Sequence, residues 1–358
     1  MVTVADEAMA ATPLVTPKGG GMWRYILIRF FLVIPTVFIV VTVVFLLTRI
    51  TGDPITAALG DRLPPDQLQE RIEEAGYNRP LIVQYLEYVG NVVRGDFGMT
   101  ISDNRPVLEV LLTYGSATLE LAFYALLVAF AIGIPFGILA AARRDRASDA
   151  VLRIAAILAY ATPIFFVAIL LKLVFAVWLD WLPVAGRAST RTELLLQTVE
   201  PATGIYLIDA IRLGSPAAVG DVLWHAILPG LALGLLTAGI FFRLVRTNVI
   251  GTHGAQYVTS ARSRGVGEYR LLTKHAYRPA LIPIVTVIGL QIAVLLSGAV
   301  LTETSFEWKG IGFQLAEYIK ARDFVAVQGI VIMIAIVVAL TNFIVDIIAA
   351  LIDPRVRY

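Results

Sequence analysis

The sequence predicts an all-α integral membrane protein with about six transmembrane helices and both termini cytoplasmic. Hydrophobic residues make up 58% of the chain and charged residues 16%, against about 45–50% and about 25% in soluble domains. The apolar residues come in long blocks, without the alternation of an amphipathic helix or strand. Lys and Arg gather in alternate connections between those blocks, as they do on the cytoplasmic side of a membrane. The 358 residues would allow two soluble domains, but the blocks make residues 22–358 one membrane domain.

A span needs about 20 mainly apolar residues, because a helix rises about 1.5 Å per residue through about 30 Å of hydrocarbon. Six segments free of Asp, Glu, Lys and Arg meet this: residues 30–47, 121–142, 154–171, 222–242, 280–302 and 324–345. The third is expected to continue past Lys172 to Leu179. With the N-terminus inside, the inner segments hold Lys18, Arg24, Arg29, Arg143, Arg144, Arg146, Arg153, Arg243, Arg246, Arg262, Arg264, Arg270, Lys274, Arg278, Arg355 and Arg357. Against these stand only Asp6, Glu7, Asp145, Asp149, Glu268 and Asp353. Outside, acidic residues outnumber basic ones, mostly in two long loops. Residues 1–21 read as a disordered cytoplasmic tail. The first block reads as a retained signal anchor, since it exceeds a usual signal h-region and no small-residue cleavage site follows it.

Residues 49–116 are expected to form an external cap packed on the spans. A short polar helix is predicted over 66–74 behind Pro64-Pro65, and Pro80 opens a second with Leu81, Tyr85, Leu86, Val89 and Val93 on one face. The Asp96-Phe97-Gly98 triplet has the letters of a kinase motif without its supporting elements, and is read as coincidence. A second external loop, about 180–221, shows only a weak helical pattern around 203–212.

Catalytic chemistry finds no support. There is no cysteine, and no phosphate loop, His-Glu-x-x-His pair or Gly-x-Ser-x-Gly elbow, so no catalytic residue is assigned and the chain cannot hydrolyse ATP alone. His225, His253 and His275 lack partners at ligand spacing and read as interfacial, so no metal is expected. Lys172, six residues before Trp178, reads as snorkelling to the outer face. Asp346, near the inner end of the last span, reads as the partner of a basic residue of the inner loops.

The inner connection at about 243–279 is long for a turn and is punctuated by Gly251, Gly254, Gly265 and Gly267. The pattern predicts a helix over 255–264, a left-handed glycine cap at Gly265, and a second helix starting near Glu268. Two readings stand on charge alone: a lever receiving motion from a cytoplasmic partner, or a basic segment lying on anionic lipid.

At this loop the sequence resembles the inner-membrane permeases of ABC importers, and specifically the B-type subunit of dipeptide and oligopeptide systems. Their general Glu-Ala-Ala signature falls on Thr259-Ser260-Ala261, with only Ala261 and Gly265 matching. The peptide-type form matches at Tyr257-Val258, Ala261-Arg262, Gly265, His275-Ala276, Arg278 and Ala280-Leu281-Ile282-Pro283, with Pro279 in place of the more usual Asn. Further matches follow in order: Arg79-Pro80-Leu81 with Gln84-Tyr85, Gly95-Asp96-Phe97-Gly98, Ala117-Thr118-Leu119-Glu120-Leu121, Leu301-Thr302-Glu303-Thr304, Trp308 with Gly310 and Gly312 (Lys309 replacing a proline), and Asp353-Pro354-Arg355-Val356-Arg357.

The resemblance covers about residues 23–358. It implies a type I ABC importer permease fold in a bacterial inner membrane. Implied partners are a second, C-type permease subunit, two cytoplasmic ATPases that bind the ATP and Mg, and an external solute-binding protein. No nucleic acid is implied. It also implies that Tyr257, Ala261, Arg262, Gly265 and Glu268 serve ATPase coupling, with alternating access at the interface of the two permease subunits. Gln291 and Ser297, polar in an apolar span, either line that path or hydrogen-bond a neighbouring helix. Nickel, haem or oligosaccharide import shares this architecture. An ion-driven secondary transporter is the reading from another class; it would show paired membrane carboxylates or broken helices in corresponding halves, and neither is evident in the sequence.

Overall fold

The computed structural model describes the backbone of residues 22–50, 52–271 and 277–352; the side chains of 278–286, 288–290, 293, 297, 349 and 352 lie outside the described set. The chain begins with α1 (Met22–Ile50), followed by the short helices α2 (Pro54–Leu59), α3 (Pro65–Glu74) and α4 (Leu81–Val93). Then come α5 (Val107–Ala142), α6 (Ala147–Ala161) and α7 (Ile164–Leu171), which runs into a π-helical turn at Lys172–Trp178. After α8 (Thr190–Leu196) and α9 (Tyr206–Arg212) stands the long α10 (Pro216–His253), then α11 (Gln256–Ser263), α12 (Glu268–Arg270), α13 (Tyr277–Phe306), α14 (Ile311–Lys320) and α15 (Phe324–Ile352). Among the described residues, every regular element is helical.

Each expected apolar segment falls on helix. Among the described residues, four helices, α1, α5, α10 and α15, are each long and apolar enough to cross a membrane unaided. The third segment differs from the expected straight span: α6 and α7 meet at a 105° bend. Thr162 adopts φ −79°, ψ 132° before Pro163, the extended backbone a following proline favours, and Pro163 then leads into α7. The broken pair still joins both ends of the bundle. Asp149 of α6 binds Arg246 of α10 at one end, and the Lys172 ammonium donates to the Ser305 carbonyl at the other, 3.0 Å away. Lys172 is therefore tied to the end of α13 rather than reaching freely to water. Asp346 forms an ion pair, as expected, but its partner is Arg29 of α1 at 3.2 Å and not an inner loop.

α10 is the axis, packed parallel to α5 through small residues. A Cβ on Gly133 would lie 2.8 Å from the Phe241 Cβ, one on Gly137 2.8 Å from the Val245 Cβ, and one on Gly234 2.7 Å from the Val128 Cβ. Glycine on one helix thus faces a large side chain on the other, which lets the backbones approach closely where lipid offers no hydrophobic drive between helices. Leu121, Leu233, Leu295, Ala299 and Trp308 continue this core into α13 and the turn after it.

The predicted cap helices form, but the apolar face expected on α4 does not turn inward as a whole. The Tyr85 hydroxyl meets the Thr42 hydroxyl at 2.7 Å, while Leu81, Leu86 and Val93 are exposed. Arg49 at the end of α1 organises the cap. It donates to Gln84 at 2.9 Å, and its guanidinium sits 4.6 Å over the Tyr77 ring. The Asp96-Phe97-Gly98 segment is a tight turn, with Gly98 at φ +84° and its N–H bonded to the Asp96 carboxylate at 2.9 Å. Just beyond it, Ile101 and Ser102 donate to buried Asp323, which also caps α15 through the Ala326 N–H. The second loop carries α8 as well as the helix expected near 203–212, found as α9.

Candidate functional site

The helix, glycine turn and second helix predicted between the fourth and fifth apolar segments are present. α10 runs through Gly251 to His253, so the connection starts later than the glycine pattern suggests. Ala255 caps α11 in an extended conformation, and Gly265 ends the turn after it at φ +81°. The Val266 N–H then bonds to the Ala261 carbonyl at 3.3 Å. Gly267 is the extended cap of α12. A small core holds the unit together: Val258, Ala261 and Leu271 are buried against one another, with Val266 alongside.

The five residues assigned to coupling divide by position. Arg262 and Glu268 form a fork across the Gly265 turn, Nε to Oε1 at 2.6 Å and Nη2 to Oε2 at 3.3 Å. The bonded guanidinium of Arg262 holds the Glu268 carboxyl below its usual range. His253, at the end of α10, joins them, its Nε2 3.0 Å from Arg262 Nη2 and 3.5 Å from Glu268 Oε2. Ala261 is inside the small core, and Gly265 sets the turn. Tyr257 is the one of the five that is 45% exposed with a large apolar ring, and Tyr269, not singled out from sequence, stands beside this unit 82% exposed. The geometry is a rigid wedge at the tip of a long helix. His275 and Lys274 lie outside the described residues.

Gln291 is buried on α13 with its Oε1 unpartnered, and Thr237 on α10 has a buried hydroxyl in the same condition. The Ser297 side chain lies outside the described set.

Sequence reasoning missed a buried polar network at the opposite end of the bundle. Arg187 donates to Glu120 at 2.5 Å and to the Gly204 carbonyl at 2.8 Å, and its guanidinium stacks 3.6 Å over the Tyr206 ring. Glu120 also accepts the N–H groups of Tyr206 and Leu207, so it caps α9. The neighbouring Thr118 hydroxyl donates to Glu303 at 2.7 Å and accepts from the Ile311 N–H at 2.8 Å. Trp308 is fully buried and donates to the Ala117 carbonyl. A Cβ on Gly310 would collide with the Glu303 carboxylate and one on Gly312 with the Val300 backbone; that carboxylate caps α14 through the Phe313 N–H at 2.8 Å. An apolar cavity of about 360 Å³, lined by Leu111, Thr118, Leu296, Val300, Gly312 and Met333 among others, opens beside this network. A signal was available: the motif at 117–121 and the neighbouring motifs at 301–304 and 308–312, far apart in sequence, converge here.

Comparison with known proteins follows the same residues. Residues 22–122 match the N-terminal part, and 133–358 the main part, of the binding-protein-dependent transport system inner membrane component. The chain is 38% identical over 339 residues to the di/tripeptide transport system permease protein DppB of Pseudomonas aeruginosa, covering 94% of this chain and 99% of that one. It is 36% identical, with the same coverage, to the dipeptide transport system permease protein DppB of Escherichia coli K12. It is 34% identical over 338 residues to the dipeptide permease protein of Alkalihalophilus pseudofirmus, covering 94% of this chain and 100% of that one. With matches running from α1 through the lever to the final segment, the chain belongs to the family of binding-protein-dependent transport system inner membrane components.

Proposed function

We propose that this chain is a transmembrane subunit of an ATP-driven importer of dipeptides and short oligopeptides. In this reading it crosses the bacterial inner membrane six times with both termini in the cytoplasm. It forms half of the translocation path with a second, C-type subunit. Two cytoplasmic ATPases bind ATP and Mg, and an external binding protein delivers the peptide.

The observation that carries the reading is the wedge of α11 and α12 at the tip of the 38-residue α10. Such a helix is roughly 57 Å long, well beyond the hydrocarbon core. A partner pushing on the tip therefore moves the packed α5–α10 pair as one body. The Arg262–Glu268 fork and the small core under α11 keep the wedge from yielding to that push. Alternating access then needs only rocking of rigid units. The named relatives, similar end to end, support peptides as the cargo. Its sequence carries no phosphate loop, and in this reading the chain acts as a permease driven by the ATPases.

The test is uptake of a labelled dipeptide into proteoliposomes containing this chain with its partner subunits and binding protein. The reading expects accumulation that requires ATP. Uptake that is independent of ATP and follows an imposed proton or sodium gradient would replace it with the secondary-transporter reading. ATP-dependent uptake of nickel, haem or oligosaccharide in place of peptide would keep the architecture and change the cargo.

A further inference from the structure

The turn between α5 and α6 and the end of α10 enclose a second cavity, of about 330 Å³, lined by Ala141, Ala142, Arg144, Arg146, Val249, Ile250, His253 and Gly254. Its chemistry is divided. Ala141, Ala142, Val249 and Ile250 give it apolar walls, and Arg144, Arg146 and His253 give it donors, with exposed Arg143 adjoining in sequence. Arg144 pairs at the surface with Asp145 at 3.1 Å. Among the described residues, Arg146 has no acidic partner. His253 Nε2 lies 3.0 Å from the Arg262 guanidinium, and its buried Nδ1 has no hydrogen-bond partner among the described residues.

Depth completes the argument. Gly137 packs on Val245, and Ala141 and Val249 share one cluster, so the cavity begins where the apolar run of α5 ends. Along α10 it lies roughly 10 Å past Phe242, the last residue of that helix's apolar run. This is the depth of the headgroup layer. Basic pockets between membrane helices, with apolar walls toward the bilayer, match a phosphodiester joined to a glycerol and acyl chains.

We propose that this cavity binds the phosphate of an anionic phospholipid, seated between Arg144 and Arg146 with its glycerol against the alanine and valine wall. The bound headgroup would adjoin His253 and so buttress the Arg262–Glu268 fork from behind. The proposal depends on membrane insertion alone and not on the cargo, so it stands or falls separately from peptide import.

The test is native mass spectrometry of the assembled complex released from nanodiscs of mixed phosphatidylcholine and phosphatidylglycerol. The wild type should retain phosphatidylglycerol selectively. Arg144→Gln with Arg146→Gln should cut that retention about fivefold or more, whereas Arg144→Lys with Arg146→Lys keeps most of it. Arg24→Gln, at the same end but outside the cavity, should leave it unchanged. Unaltered thermal unfolding in phosphatidylcholine alone serves as the folding control. Equal retention of the two lipids, or equal loss with Arg24→Gln, overturns the site. Displacement by millimolar inorganic phosphate would make it a free-anion site and overturn the lipid assignment. If the glutamine pair instead releases the ATPases while phosphatidylglycerol stays, the cavity is a protein-docking surface and the proposal fails.

Discussion

Asp149 is completely buried and takes two hydrogen bonds from Arg246, both at 2.7 Å, with Arg153 3.7 Å away. Hydrogen bonds to charged groups contribute about 1.5–3 kcal/mol each. Arg246→Ala should therefore destabilise the chain by about 2–3 kcal/mol, measured as thermal unfolding of the solubilised complex. Asp149→Asn combined with Arg246→Met should cost less, because no buried charge is then stranded. A loss for the single variant no larger than for an exposed arginine would contradict the clamp. Glu268 makes a pH prediction. Its carboxyl is held below the usual range in the folded wedge, so the fork is present above the ordinary glutamate range and is lost only as pH falls through the depressed value. The hydrogen-exchange protection of residues 256–271, after correction for the intrinsic pH dependence of amide exchange, should accordingly stay flat from neutral pH into mild acid and fall only below that. These pairs were hard to read from sequence for a physical reason. Arg187 and Glu120 are 67 residues apart, and neither carries a local pattern; only the fold brings a loop arginine against the interior of α5. Asp346 was legible as an ion pair because charge in a membrane demands a partner, but its choice of Arg29 depends on how α1 lies against α15.

At the scale of elements, the apolar runs were legible because lipid imposes length and composition together. The break in the third run was not, although Pro163 stood in it: apolar residues continue on both sides, and hydropathy is blind to a bend. The glycines of the lever were legible in part. Gly265 ends α11 as expected at φ +81°, whereas Gly251 stays inside α10, with Val249 buried in the core two residues earlier. A Cβ at Gly265 or at Gly267 meets nothing within 4 Å, but only Gly265 has positive φ. Gly265→Ala should therefore cost about 1 kcal/mol through backbone strain and Gly267→Ala close to nothing, compared by proteolysis of the lever. Equal sensitivity at both sites would contradict the assigned turn. Between α5 and α10 the outcome reverses, since space is the issue there. Gly137→Val should lose about 1–3 kcal/mol by overpacking against Val245, seen as a lower unfolding midpoint and reduced recovery of assembled complex.

For the whole molecule, the two ends carry different devices. At one end, α4, the turn at residues 101–102 and the start of α9 are tied down by Arg49, Asp323 and the Glu120–Arg187 pair, so these loops are pinned to the bundle. At the other, a single stiff wedge projects from α10 and is braced by its own fork and core. A braced tip on a long packed helix is the mechanical feature on which the function proposed above rests. The central claim is that the tip takes this force from a separate ATPase. Because the chain has no cysteine, a single Tyr257→Cys variant can carry a thiol-linked photo-crosslinker in the assembled complex, with Leu86→Cys on the exposed face of α4 as the control. The account predicts that position 257 captures an ATPase subunit and position 86 does not. Capture of lipid alone at 257, or of the ATPase at 86, would contradict it.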